Sequence, residues 1–282
     1  MARPQNSPTQ NTQIKVIEPP SGWQFIDWRE VYEYRDLLIF LIKRDIQVLY
    51  AQTILGFLWA ILNPLIQIVI FSIIFGRVAQ LDTGDVPYAL FSTAAVIPWT
   101  YMSEAMNSSS QSLVKDSSMM GKVYFPRFLY PITPIFAKLV DFGISLFLLM
   151  VVMIYYGVTP TAQLLLLPLF VIFMISVPAG IGLWLSSLAI RFRDVKFAMP
   201  FVIRMLIYTA PVLYSVDKLD PDLRFWYSLN PIVGVVEGFR ACLLGTQIPW
   251  TYIWPGALVA GILLFSGMIY FRRMERVVVD VI

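Results

Sequence analysis

Long apolar runs separated by short charged loops dominate the chain. A helix that crosses the hydrocarbon layer needs about 20 mainly apolar residues. Six stretches approach that length, at about 57–75, 88–108, 131–156, 164–190, 197–214 and 252–271. The pattern predicts an all-α integral membrane protein with six transmembrane helices, forming one transmembrane domain over 53–282. A seventh apolar piece, 232–244, is too short to cross and carries Glu237 and Arg240. It suits a re-entrant segment, because broken backbone at membrane depth survives only inside protein or beside water. Ahead of the first span, Val31, Tyr34, Leu38, Leu41, Ile42, Asp45 and Leu49 recur at spacings of three and four, with charges mostly opposite. That periodicity predicts an amphipathic helix over 28–52, lying in the cytosolic interface.

Composition agrees with this reading. Of 282 residues, 58% are hydrophobic and 14% charged, against roughly a quarter charged in soluble domains. The net charge of +3 does not point to nucleic acid, because the basic residues lie at the ends of apolar runs and not in one patch. Histidine is absent and Cys242 is the sole cysteine, so no metal site is expected and an intrachain disulfide is excluded. The first 27 residues are rich in Pro, Gln, Asn and Ser without an apolar core, and read as a disordered cytosolic tail, not a signal peptide.

Lysine and arginine set the orientation. With the N-terminus inside, Arg77, Lys218, Arg224 and Arg240 lie outside and Arg204 within a span, leaving the other 16 of 21 on the inner side. Both termini are therefore expected in the cytosol.

Catalytic signatures are lacking. Asp220-Pro221-Asp222 has the form of a metal–sugar-nucleotide motif, but it falls on the outer side beside turn-forming prolines. Gly121-Lys122 is followed by Val123, so no phosphate-binding loop forms there. Charges inside spans are costly and mark candidate function. Asp141 is spaced to pair with Lys138 along one helix face, while Glu104, near the inner end of the second span, is placed to reach interfacial water. Arg204 lies eight residues beyond Lys196, about 12 Å deeper. It can snorkel to the inner surface, bind a passing phosphate, or pair with Glu104 or Asp141. Aromatics reach 15% of the chain. Interfacial belts account for most of them, yet rings such as Trp59, Tyr101, Tyr208 and Tyr214 also suit the wall of a glycan channel. A secondary transporter or channel is the alternative reading, although Asp141 and Glu104 are the only evident ion-coupling groups and no internal repeat is visible.

Four blocks in sequence order carry a resemblance. They are RDIQVLYAQTILGFLWAILNPL (Arg44–Leu65), GKVYFPRFLYPI (Gly121–Ile132), RFRDVKFAMPFVIRMLIYTAPVLYS (Arg191–Ser215) and LNPIVGVVEGFRACLLG (Leu229–Gly245). Together the chain resembles ABC-2-type permeases that export bacterial polysaccharides: O-antigen, capsule or teichoic-acid glycans. The resemblance implies a homodimer in the bacterial cytoplasmic membrane, in contact with membrane lipids. Two copies of an ABC ATPase subunit, which carry the ATP and magnesium, would drive a lipid-linked glycan outward; this chain itself would hold no cofactor. It further implies a coupling region at 112–130, with Lys122, Tyr124, Phe125, Pro126 and Arg127 docking on the ATPase. Arg204, with Trp59, Tyr101, Tyr208 and Tyr214, would line the substrate channel. Paired re-entrant gate helices would lie at 216–245, with Glu237 and Arg240 bracing the exit. One departure concerns Tyr50: Leu49 and Ala51 stand where the family carries basic residues beside the matching tyrosine.

Overall fold

The computed structural model describes residues 32–50, 58–71, 73–74, 86–117, 126–212, 214–216 and 219–281, with backbone alone at 71, 193 and 276–281. These residues are mostly helical and contain no strand. In chain order the helices are α1 (Arg35–Tyr50), α2 (Leu58–Phe71), α3 (Tyr88–Lys115), α4 (Leu129–Ala137), α5 (Leu139–Tyr155), α6 (Leu167–Arg191), α7 (Arg193–Thr209), α8 (Pro221–Ser228), α9 (Pro231–Leu244) and α10 (Trp250–Val281). A 3-10 turn at Ala162–Leu166 leads into α6.

Three of these units are long and apolar enough to cross a membrane: Leu129–Tyr155, Ala162–Arg191 and Trp250–Glu275. They coincide with the expected third, fourth and sixth spans. Helix α3 occupies the expected second span and continues to Lys115; at 28 residues it is about 42 Å long. It therefore absorbs the beginning of the predicted coupling region. Helix α2 is a shorter apolar helix within the first expected span.

The fifth span departs from expectation. Helix α7 stops at Thr209, and Ala210 is extended. The stop follows from Pro211, which disfavours helical geometry in the residue before it. Tyr214 accordingly sits in a linker and not on the same helix as Tyr208. The third span is also divided: Lys138 interrupts it between α4 and α5, one turn after Pro134.

The core lies between α3, α6 and α9, with Met102, Met106, Phe170, Met174, Val235 and Phe239 buried. All of α9 except Leu244 is buried. It starts with Asn230, whose side chain accepts from the Ile232 amide, and ends on Gly245 at φ 72°, a left-handed position that suits glycine. Helices α6 and α10 cross closely because Gly180 meets the Leu264 backbone and Gly267 meets the Gly180 carbonyl, with no side chain between. A second cluster at one end packs Leu41 of α1 with Leu113, Phe128, Leu129, Leu183 and Phe271. Helix α1 is thus held by Leu41, while Ile39, Phe40 and Val48 remain exposed.

Candidate functional site

Two polar features stand out against this apolar background. The first is a cavity of about 350 Å³ bounded by α2, α3, α5 and the end of α1. Helices α2, α3 and α5 each contribute side chains four residues apart, which puts them on one face. Helix α2 supplies Trp59, Asn63 and Gln67; α3 supplies Thr100, Tyr101 and Glu104; α5 supplies Asp141 and Ser145. Lys138, at the α4–α5 break, forms the centre of the charge cluster. Its ammonium lies 2.6 Å from Glu104 and 3.3 Å from Asp141. The Tyr50 hydroxyl donates to the other Asp141 oxygen. The end of α1, the middle of α3 and the α4–α5 break therefore converge on one joint, where burial of the ammonium is compensated by two carboxylates.

The Lys138–Asp141 pair expected from spacing is present, and Glu104 joins it: half-exposed on α3, it links that helix to the α4–α5 break through Lys138. Both acids are engaged by Lys138, so neither pairs with Arg204. Arg204 is exposed and makes no ion pair among the described residues. A smaller cavity of about 250 Å³ adjoins at Leu49 and Lys138 and is lined by Asn107, Gln111, Lys115 and Asp116. Beside it, Arg44 bridges Asp45 at 2.8 Å and Asp116 at 3.3 Å. Desolvation pulls the Arg44 guanidinium down, but the two carboxylates more than offset it and leave its pKa above the ordinary arginine value.

The second feature is the Glu237–Arg240 pair on α9. The two meet at 2.8 Å, with side chains only 10% and 5% exposed respectively. Arg240 also donates to the carbonyls of Pro211 (2.9 Å) and Val212 (3.2 Å), and its guanidinium lies 3.8 Å from the Phe91 ring centre on α3. Glu237 accepts from the Val216 amide at 3.4 Å. One buried ion pair thus pins the linker after α7 to both α9 and α3. Beside it, the Tyr214 and Tyr227 hydroxyls bond to each other and approach the Tyr208 carbonyl.

The expected site residues fall into separate places. Trp59 and Tyr101 share the first cavity. Arg204 and Tyr208 are exposed on α7, and Tyr214 belongs to the linker cluster. Pro126 is buried, and Arg127 donates to the Glu275 carbonyl of α10 at 3.0 Å. Lys122, Tyr124 and Phe125 lie outside the described residues, as does the predicted tail. Sequence reasoning missed Asn63, Gln67, Thr100 and Ser145. The signal was there as polar side chains repeating every four residues inside apolar runs, aligned with Trp59, Glu104 and Asp141. Among the described residues, no group of three or more acidic or cysteine side chains is placed to hold a metal.

Three apolar helical units long enough to cross a membrane, in a chain whose described residues contain no strand, define an all-helical integral membrane protein. More narrowly, the chain belongs to the ABC-2 type transporter family, whose profile matches residues 36–244. Among its relatives is the O-antigen export system permease protein RfbA of Myxococcus xanthus, 27% identical over 223 residues, which cover 78% of this chain and 85% of that protein. A Klebsiella pneumoniae protein of the same name is 25% identical over 83% of this chain and 87% of its own length. The polysialic acid transport protein KpsM of Escherichia coli is 23% identical over 84% of this chain and 92% of its own.

Proposed function

We propose that this chain is the permease subunit of an ATP-driven exporter that moves a lipid-linked polysaccharide outward through the bacterial cytoplasmic membrane. The observation that carries this reading is the extent of the family match, which runs from α1 to the end of α9. Relatives with export or transport names align over more than three-quarters of the chain. The subunit does no covalent chemistry; ATP and magnesium belong to a separate ATPase, two copies of which serve a homodimer of this chain.

In this reading α2, α3, α4–α5, α6, α7 and α10 are the six spans. Helix α1 lies in the cytosolic interface and both termini face the cytosol. Helices α8 and α9 form a re-entrant outer gate braced by Glu237 and Arg240. Arg204 faces the pore between protomers, where it contacts the carrier's phosphate, and Tyr208 lines the same wall. The exposure of both residues on α7 supports this, since an arginine without an acidic partner at membrane depth is expensive against lipid.

The test is complementation of a host strain that lacks the native copy, with surface glycan and co-purified ATPase as readouts. Restored glycan together with ATPase capture is the expected result. Arg204→Gln should lower export while ATPase capture persists. Export at the wild-type level in that variant would remove the phosphate contact. Absence of restored glycan by the wild type would overturn the function itself.

A further inference from the structure

The cavity between α2, α3 and α5 has a chemistry that the charge cluster alone does not explain. The Asn63 and Gln67 amides line it, one turn apart, and neither makes a side-chain hydrogen bond among the described residues. An amide without a partner at bilayer depth is unfavourable, so these two favour a guest that can hydrogen-bond to them, and Asn63 is exposed enough to meet one. Trp59, one turn before Asn63, is 43% exposed and offers an indole face beside them. Across the cavity, Glu104 uses one carboxylate oxygen for Lys138, and its side chain remains 48% exposed. Thr100 and Ser145 add hydroxyls to the same wall.

Charge narrows the ligand. Among the described residues, Lys138 is the sole cation lining the cavity and both of the lining carboxylates hold it. The wall therefore carries a net negative charge and offers no free cation. A phosphate is disfavoured there. An aromatic face with amides, hydroxyls and a carboxylate oxygen instead matches an uncharged polyhydroxyl ring. The volume of about 350 Å³ lies at the small end of the roughly 300–1,000 Å³ of small-ligand pockets.

We propose that this cavity is a saccharide subsite that takes a sugar ring of the exported glycan, stacked on Trp59 and hydrogen-bonded by Asn63, Gln67 and Glu104. The assignment rests on the export reading above. It separates the wall that grips sugar from the Arg204 wall that meets the carrier's phosphate.

The experiment uses Asn63→Leu with Gln67→Leu, produced together with the ATPase in the strain lacking the native copy. Surface glycan is labelled by periodate oxidation and a hydrazide dye. Because neither amide has a partner among the described residues, the double variant should melt at or above the wild-type temperature and keep its ATPase. Surface glycan should nevertheless fall at least tenfold. Trp59→Phe should retain export and Trp59→Leu should lose it, as stacking requires.

Export within twofold of wild type in the double variant overturns the subsite. So does a fall in melting temperature that parallels the fall in export, which would make the amides structural. A lipid headgroup bearing glycerol hydroxyls could supply the same chemistry. If adding phosphatidylglycerol to phosphatidylcholine nanodiscs raises the melting temperature of the wild type more than that of the double variant, lipid is the occupant and the glycan assignment falls. If the wild type restores no surface glycan, the export reading fails first, whatever the variants do.

Discussion

Removal of the Arg240 guanidinium would strand a buried carboxylate on Glu237 and leave the Pro211 and Val212 carbonyls without their donor. Breaking a buried pair from one side typically costs about 3–5 kcal/mol. Arg240→Met should therefore lower both the membrane yield and the melting temperature of the purified protein. Replacing both partners, as Glu237→Leu with Arg240→Met, removes the stranded charge and should recover part of that loss. Recovery stays incomplete because the two carbonyls remain without Arg240. Melting curves of the three proteins check this order, and a double variant less stable than the single would contradict it. The sequence showed that Glu237 and Arg240 are three apart and able to pair. It could not show that the pair also grips a linker 21 to 29 residues earlier, because such contacts exist only after the chain has folded back. Lys138 makes the same point. Its partner Asp141 was readable from local spacing, whereas Glu104 came from another helix.

At the scale of the element, close approach decides what each helix tolerates. A Cβ on Gly180 would lie 2.7 Å from the Leu264 amide nitrogen, and backbone cannot swing aside as a side chain can. Gly180→Val should force α6 and α10 apart, and loss of folded protein in detergent chromatography is the expected result. Gly143 on α5 meets nothing within 4 Å. Gly143→Ala should melt no lower than wild type, since alanine favours a helix interior by roughly 0.5–1 kcal/mol. The apolar runs made α5, α6 and α10 legible from sequence, because about 20 uniformly apolar residues in a row seldom occur outside a membrane helix. The end of α7 was missed because apolar residues continue past Pro211. Hydropathy followed them, although the backbone had already turned. The cavity residues on α2 were hidden for the opposite reason: two amides scarcely dent the hydropathy of a span, and their meaning lies in their shared face.

At the scale of the whole molecule, the export reading has the ATPase meet the chain between α3 and α4, and the GKVYFPR stretch is the expected place. Tyr124→Ala with Phe125→Ala removes roughly 200 Å² or more of aromatic surface, several kcal/mol at about 25 cal/mol per Å². Co-purification should show the ATPase lost and export abolished, with the permease still inserted. Arg127→Ala acts differently from an ordinary rim charge, because Arg127 holds the Glu275 carbonyl within this same chain. Next to it, Phe128 packs edge-on against Phe271, with ring centres 6.1 Å apart. Arg127 and Phe128 are therefore seated on α10. A ribosome that has made residues 121–128 has produced the motif but not its seat, which arrives 148 residues after Arg127. In the export reading, a chain translated as far as α10 would hold Arg127 and Phe128 in place and a shorter one would not, so ATPase capture would favour chains that had reached that helix.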